Sequence, residues 1–394
     1  MVEAELVKVP TEGEPLSVIL KLAGERCNLD CVYCFERRRD YGAPAYLDPL
    51  IVQDLLRRMP SSPMALELHG GEPLLYPKAK MVQLLRILSA HTSPVKLSMQ
   101  SNGTLLTDAW LRIFRDEFPS LSIGISCDGP GAMAQFRLTM RELATDAQVA
   151  TALSLCGLHS LSVGVACVLS RANISRVDEL LCYFGSFPSI KAVKFIPCFD
   201  YHPVQGKGTT RSKRVISIIN SASAGIAPWA ISPAEYAEFL MKAWTVWEQK
   251  GLFEKFTLEP LLSYVRRVLD KPVNDCHFSA KRCAHVITVF PGGRVGGCDE
   301  FDGRLSNFDG GINAAISKGR TPTIWQHSHV SQLITNLQKK CSDCGYLSSC
   351  GGGCPAQRLR LAEEGLDQIY CDYRITLIDF VRGRLEASDQ VIPR

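Results

Sequence analysis

Three cysteines stand close together near the N-terminus, Cys27, Cys31 and Cys34, in the spacing C-x3-C-x2-C. Thiolates bind soft metals, and three on one short loop can hold three irons of a cubane cluster. Such clusters normally take four cysteines, so the fourth iron would stay open to a substrate or cofactor. A three-cysteine zinc site completed by a distant residue is the alternative reading of the same spacing. A second group lies far downstream. It runs Cys276, Cys283, Cys298, then Cys341-x2-Cys344-x5-Cys350-x3-Cys354, and ends at Cys371. Its C-x2-C pair suits structural zinc as well as iron. The other five of the 16 cysteines, Cys127, Cys156, Cys167, Cys182 and Cys198, lack ligand spacing and read as buried thiols outside any metal site.

The elements around the first triplet say where it must lie. Short β-rich runs recur through the first two hundred residues: Ser17–Ala23, Ala65–His69, Val95–Gln100, Leu121–Ser126, Leu161–Leu169 and Ala192–Pro197. Between them run amphipathic segments such as Asp48–Met59 and Met81–His91, apolar at three- and four-residue spacing. Six βα repeats predict a parallel α/β sheet, either a partial barrel or a doubly wound sheet. In both, the working face lies at the C-terminal strand ends, and the triplet follows the first strand. The segment Asp200–Ala230 is rich in Ser, Gly and Pro and reads as a surface connection or a lid. A helix starting at Ser232-Pro233, a hairpin at Pro291-Gly292-Gly293 and a helix over Tyr373–Ser388 complete the expected elements.

Composition narrows the class. Among 394 residues, 46% are hydrophobic and 21% charged, a globular balance that excludes disorder and coiled coil. A net charge of +4 gives no reason to expect a nucleic-acid binder. The start of the chain lacks the apolar run of a signal peptide, and the uncharged stretch Gln148–Ser170 reads poorly as a membrane span. A cytoplasmic protein is expected, where clustered cysteines point to metal or redox chemistry rather than disulfides.

With Tyr33 before the third cysteine, the triplet resembles the hallmark of radical S-adenosylmethionine (SAM) enzymes. Other motifs follow at successive strand ends: His69-Gly70-Gly71-Glu72-Pro73, Gln100-Ser101-Asn102-Gly103-Thr104, Ser126-Cys127-Asp128-Gly129-Pro130 with Arg137, and Phe195-Ile196-Pro197. The resemblance implies a partial (β/α)6 TIM barrel. It also implies a SAM site drawn from Tyr33, Gly70, Gly71, Glu72, Asn102, Ser126, Asp128, Arg137 and Ile196. Glu72 would pair with the cofactor's ammonium group, Arg137 with its carboxylate, and Ile196 would pack on adenine. The family's chemistry is homolysis of SAM to a 5′-deoxyadenosyl radical that abstracts hydrogen, while the protein positions and shields the cofactor.

The downstream cysteines resemble the SPASM extension of this family, which implies two auxiliary [4Fe–4S] clusters besides the SAM-binding one. Carried over by position, Cys276, Cys283, Cys298 and Cys354 bind one, and Cys341, Cys344, Cys350 and Cys371 the other. The resemblance makes Asp299, beside Cys298, the candidate base; a carboxylate that merely braces the cluster loop is the bland reading. His69 is a candidate substrate contact. The implied division is an extension over 1–16, a barrel over 17–230, a helical linker over 231–270 and a SPASM domain, a hairpin plus helices, over 271–394.

The resemblance implies an enzyme acting on a ribosomally made precursor peptide, fed by a flavodoxin- or ferredoxin-type electron donor. The first expectation is a crosslinking maturase that forms a cyclophane or thioether, since Cys298-Asp299-Glu300-Phe301 reads as in such relatives. The stretch Gly131–Arg137 also lacks the His-Asp pair and following Gly-rich turn of sulfatase maturases. The alternative is a sulfatase-type maturase oxidising Cys or Ser to formylglycine. Only 26 residues precede Cys27, so no leader-recognition domain is expected there. A different class stays open, a zinc-stapled binding or scaffold protein without radical chemistry.

Overall fold

The computed structural model describes residues 16–36, 46–58, 63–200, 227–279, 283, 285–301, 307–308 and 328–389. Most of the segment Asp200–Ala230 and nearly all of the N-terminal extension lie outside the described residues.

All six expected strands form: β1 (Leu16–Lys21), β2 (Met64–His69), β3 (Val95–Ser101), β4 (Ser122–Ser126), β5 (Val163–Leu169) and β6 (Ile190–Pro197). They pair in parallel in chain order. Helices α1 (Pro49–Arg58), α2 (Lys78–Ser89), α3 (Asp108–Glu117), α4 (Asp146–Leu158) and α5 (Val177–Gly185) make the crossovers. Alternate strand residues, among them Val18, Leu20, Leu68 and Met99, enter one apolar core with these helices. The intervening positions, including Lys21, His69, Gln100, Ser126 and Lys194, turn to the opposite face by the period-two rule for strands.

The sheet runs further than the six-stranded expectation at both edges. Strand β7 (Thr257–Glu259) extends it beside β6, and β8 (Val286–Val289) lies parallel to β1 on the other side. The expected hairpin at Pro291-Gly292-Gly293 turns β8 into antiparallel β9 (Val295–Gly296), followed by β10 (Asn307–Phe308). Strands of two to four residues carry too little periodicity to be read from sequence.

Helix α6 (Pro233–Gln249) starts as expected, with a capping box between Ser232 and Glu235. After α7 (Leu261–Val268) and the hairpin come α8 (Ser328–Lys339), α9 (Leu347–Cys350), α10 (Pro355–Glu363) and α11 (Asp367–Asp389). The last helix begins at Asp367, ahead of the expected Tyr373, and packs on α6 and α7. Among the described residues, no helix is long and apolar enough to cross a membrane.

Candidate functional site

The Cys27–Cys34 loop leaves the C-terminal end of β1 and is held by backbone on two sides. Asp30 N donates to Leu138 O (2.7 Å) and Val32 N to Phe136 O (2.9 Å), so the chain around Arg137 runs beside the cysteines. On the other side Glu72 N donates to Arg26 O at 2.8 Å. Gly71 has φ +47°, and a Cβ there would lie 1.8 Å from Arg26 O. Only glycine lets the two loops approach this closely.

Glu72 is fully buried and clamps two strand ends. Its carboxylate accepts from Leu74 N (2.9 Å), Ser101 Oγ (2.8 Å) and Asn102 N (2.7 Å). Burial nonetheless pushes its carboxyl above the usual range. Asn102 Nδ2 donates to Asn28 Oδ1 (2.9 Å) and reaches Cys27 Sγ at 3.7 Å. Tyr33 donates to Asp128, whose other oxygen accepts from Val168 N at 2.9 Å. Arg137 Nη1 donates to Tyr33 Oη at 3.2 Å, while its buried Nε has no partner among the described residues. Ser126 Oγ accepts from Gln100 Nε2 at 2.9 Å, and Ile196 stands half-buried near the end of β6. The cysteine loop is thus tied to the ends of β2 and β3 through Glu72 and Asn102, and to the end of β4 through Tyr33 and Asp128.

Sequence reasoning named His69 and Asp299 but missed Lys21 and Glu36, which join them at the centre of the site. Lys21, the last residue of β1, is fully buried, and its ammonium donates to Glu36 Oε1 (2.6 Å), Asp299 Oδ2 (2.7 Å) and His69 Nδ1 (2.9 Å). Register explains part of this, because Lys21 and His69 are paired neighbours on β1 and β2. Pairing of β8 with β1 starts the hairpin that returns Asp299 to the same strand end. Lys21 was visible as the one charge in the run SVILKLA, but its pairing with His69, Asp299 and Glu36 was not. The site therefore joins the cysteine loop, through Glu36, to the C-terminal cysteines, through Asp299.

The downstream cysteines gather in two groups. The thiol of Cys283 is raised by burial and by nearby Cys354 and Cys276, and that of Cys298 by burial and by Asp299, Cys283 and Cys354. Cys371 is pushed up to about 11 by burial, with Cys341 and Cys350 among its neighbours. Cys350 is lowered instead: burial opposes this, but Arg374 and its hydrogen bond help outweigh it. Residue by residue, Cys283 and Cys354 are buried, Cys276 is exposed, and the others are half-buried. None of the 16 cysteines is in a disulfide. Of the five outside the motifs, Cys127, Cys156, Cys167 and Cys198 are buried as expected. Cys182 is a correction: it is exposed and accepts from Lys250 Nζ at 3.3 Å, because it lies on the outer face of α5.

The donor set fits iron–sulfur clusters. Buried thiols such as Cys27, raised chiefly by burial, need a cation to become thiolates. Among the described residues no three cysteine sulfurs lie within 4.8 Å of one another. Tetrahedral zinc would draw its sulfurs to about 3.8 Å, given a Zn–S bond of about 2.3 Å. The orphaned Arg137 Nε fits an anionic ligand beside the cysteine loop.

Residues 22–132 match the model of the Radical SAM superfamily. The serine-type anaerobic sulfatase-maturating enzyme of Bacteroides thetaiotaomicron is 24% identical over 369 residues, covering 90% of this chain and 86% of the relative. The cysteine-type enzyme of Clostridium perfringens is 22% identical over 390 residues, covering 94% and 97%. Native anSMEcpe with bound AdoMet and Cp18Cys peptide shares the fold at a TM-score of 0.74 and 20% identity, covering 96% of this chain and 100% of that one. Streptococcus suis SuiB bound to S-adenosylmethionine follows at 0.57 and 15%, covering 88% and 75%. These relatives favour the sulfatase-type alternative over the crosslinking expectation. Residues 22–132 carry a radical SAM domain, and this match, with the near-full-length relatives, supports an oxidoreductase-type enzyme of that chemistry.

Proposed function

We propose that this enzyme oxidises a cysteine or serine side chain of a polypeptide by two electrons, yielding formylglycine. When bound, SAM and the clusters supply a radical that removes one hydrogen atom and an acceptor for the remaining electron. The protein's own task is then to take a proton, and Asp299 is the base in this reading. Serine gives the aldehyde directly; cysteine gives a thioaldehyde that water hydrolyses with release of hydrogen sulfide.

The observation that carries the reading is Asp299 held 2.7 Å from Lys21 at the mouth of β1, beside the cysteine loop. The near-full-length likeness to serine- and cysteine-type sulfatase-maturating enzymes supports the substrate class. In this reading Cys27, Cys31 and Cys34 hold the SAM cluster, and the two downstream quartets hold the auxiliary ones. Tyr33, Gly70, Gly71, Glu72, Asn102, Ser126, Asp128, Arg137 and Ile196 form the SAM site. Glu72 uses three of its roughly four acceptor positions, leaving one for an ammonium group. His69 faces substrate, and a flavodoxin- or ferredoxin-type protein supplies electrons. The expected boundaries put a barrel over 17–230, a helical linker over 231–270 and a cysteine-rich domain over 271–394, although β7 and β8 from the latter two join the barrel's sheet.

A second reading, crosslinking of a precursor peptide, rests on Cys298-Asp299-Glu300-Phe301 and on the missing His-Asp pair between Gly131 and Arg137. Anaerobic turnover of Cys- and Ser-containing sulfatase peptides, with SAM and dithionite, separates the two. Formylglycine is captured by a hydrazide probe. Deoxyadenosine release with a modified but hydrazide-silent peptide would reject formylglycine formation and favour the crosslink.

A further inference from the structure

Two buried arginines touch sulfurs of one downstream quartet. Arg374, on α11, is 2% exposed; its Nε donates to Cys350 Sγ (3.1 Å) and its Nη2 to Cys350 O (2.8 Å) and His277 O (3.0 Å). It faces the rings of Phe278 (4.8 Å), Tyr264 (5.5 Å) and Tyr370 (5.9 Å). Among the described residues its hydrogen-bond acceptors are Cys350 Sγ and two backbone carbonyls, and no carboxylate is ion-paired with it. A buried guanidinium without a counterion is costly, so Cys350 and whatever anion it belongs to must supply the negative charge.

Arg358, on α10, differs. Its Nη1 donates to Cys341 Sγ (3.3 Å) and Gly352 O (3.2 Å), but its charge is paired with Asp367 at 3.0 and 3.2 Å. It lends the sulfur a hydrogen bond, with its charge partly offset by a carboxylate that exposed Lys340 shares at 3.1 Å. Among the described residues the other quartet has neither device; Lys194 and Arg360 lie near Cys276 and Cys354 but are paired with Asp275 and Glu300. Among the described residues no arginine or lysine N–H is bonded to the sulfur of Cys276, Cys283, Cys298 or Cys354, and the donors to Cys354 are the amides of Ala356 and Gln357. Two carboxylates, Asp299 and Glu300, directly follow Cys298.

Hydrogen bonds to cluster sulfurs and nearby positive charge favour the reduced, more negative cluster. We propose that Arg374, assisted by Arg358, makes the cluster on Cys341, Cys344, Cys350 and Cys371 the higher-potential one of the two auxiliary clusters. This rests on the ligand assignment above.

The test is a potentiometric titration, followed by electron spin resonance, on anaerobically reconstituted full-length enzyme. In Arg374→Gln the ratio of reduced to oxidised cluster at a fixed potential should fall about tenfold, roughly 59 mV for one electron. Arg374→Lys, which keeps the charge, should lose less. Full iron content with an unmoved midpoint in Arg374→Gln would overturn the tuning while leaving the ligands standing. Should Arg374→Gln fail to hold iron, the wild type decides. The midpoint that vanishes in Cys344→Ala must be the higher of the auxiliary pair, and loss of the lower one refutes the proposal. Wild-type iron near four per chain, rather than about twelve, would remove the ligand assignment and the tuning with it.

Discussion

Replacing Lys21 by methionine tests whether the buried ammonium holds the site together. The side chain is fully buried and lies within 2.9 Å of Glu36, Asp299 and His69. Methionine fills a similar volume, so packing changes little. What changes is charge: Glu36 and Asp299 lose the ammonium they share. Breaking a buried pair by removing one partner costs about 3–5 kcal/mol. Part of that is relieved when a carboxylate takes up a proton in the folded state. A folded-state proton affinity raised in this way makes stability fall as pH rises. The gap between variant and wild type should therefore be largest in mildly alkaline buffer and narrow in mildly acidic buffer. Lys21→Met/Glu36→Gln restores the wild-type net charge of the group and should recover much of the loss. Chemical denaturation of the reconstituted enzyme, with iron assayed in parallel, measures all three proteins. A Lys21→Met protein within about 0.5 kcal/mol of wild type, the range of ordinary surface changes, would refute the reasoning.

Four other outcomes are expected. Cys27→Ala, Cys31→Ala or Cys34→Ala should leave the auxiliary clusters but abolish deoxyadenosine formation from SAM and dithionite. Cys341→Ala or Cys344→Ala should lower solubility or remove about four irons, since ligation and local folding are coupled. Asp299→Asn should still cleave SAM while product formation falls by about 10²–10⁴-fold, the contribution of a positioned base; near-normal turnover would make Asp299 structural. Gly71→Ala should separate the Gly70-Gly71 turn from Arg26, because its Cβ would overlap that carbonyl, and iron bound by the N-terminal cysteines should fall.

The strands and the cysteine motifs were legible because their signals are local. Val163–Leu169 alternates within seven residues, and Cys27, Cys31 and Cys34 fit one loop. The polar centre was not, because its partners are set by sheet register. Lys21 and Asp299 are 278 positions apart and meet only after the four-residue β8 pairs with β1. Glu36 follows the cysteine loop with no pattern to mark it. Arg374 read as one more charge on an amphipathic tail helix until Cys350, His277 and three aromatic rings were brought around it.

Stability alone does not account for the buried charges at the strand end. Apolar groups in place of Lys21, Glu36 and Asp299 could pack at least as favourably, since burying ions costs more than burying methylenes. The charges need another reason, and their connections supply it. Lys21 closes β1 just before the cysteine loop, Glu36 follows that loop, and Asp299 is the residue directly after Cys298. An ammonium shared between Glu36 and Asp299 fixes both loops to one strand end with directional bonds, which apolar contacts do not provide. In the proposed reaction the base must stand at a set distance from a radical generated on the first loop. A shared buried cation sets that distance through the fold itself.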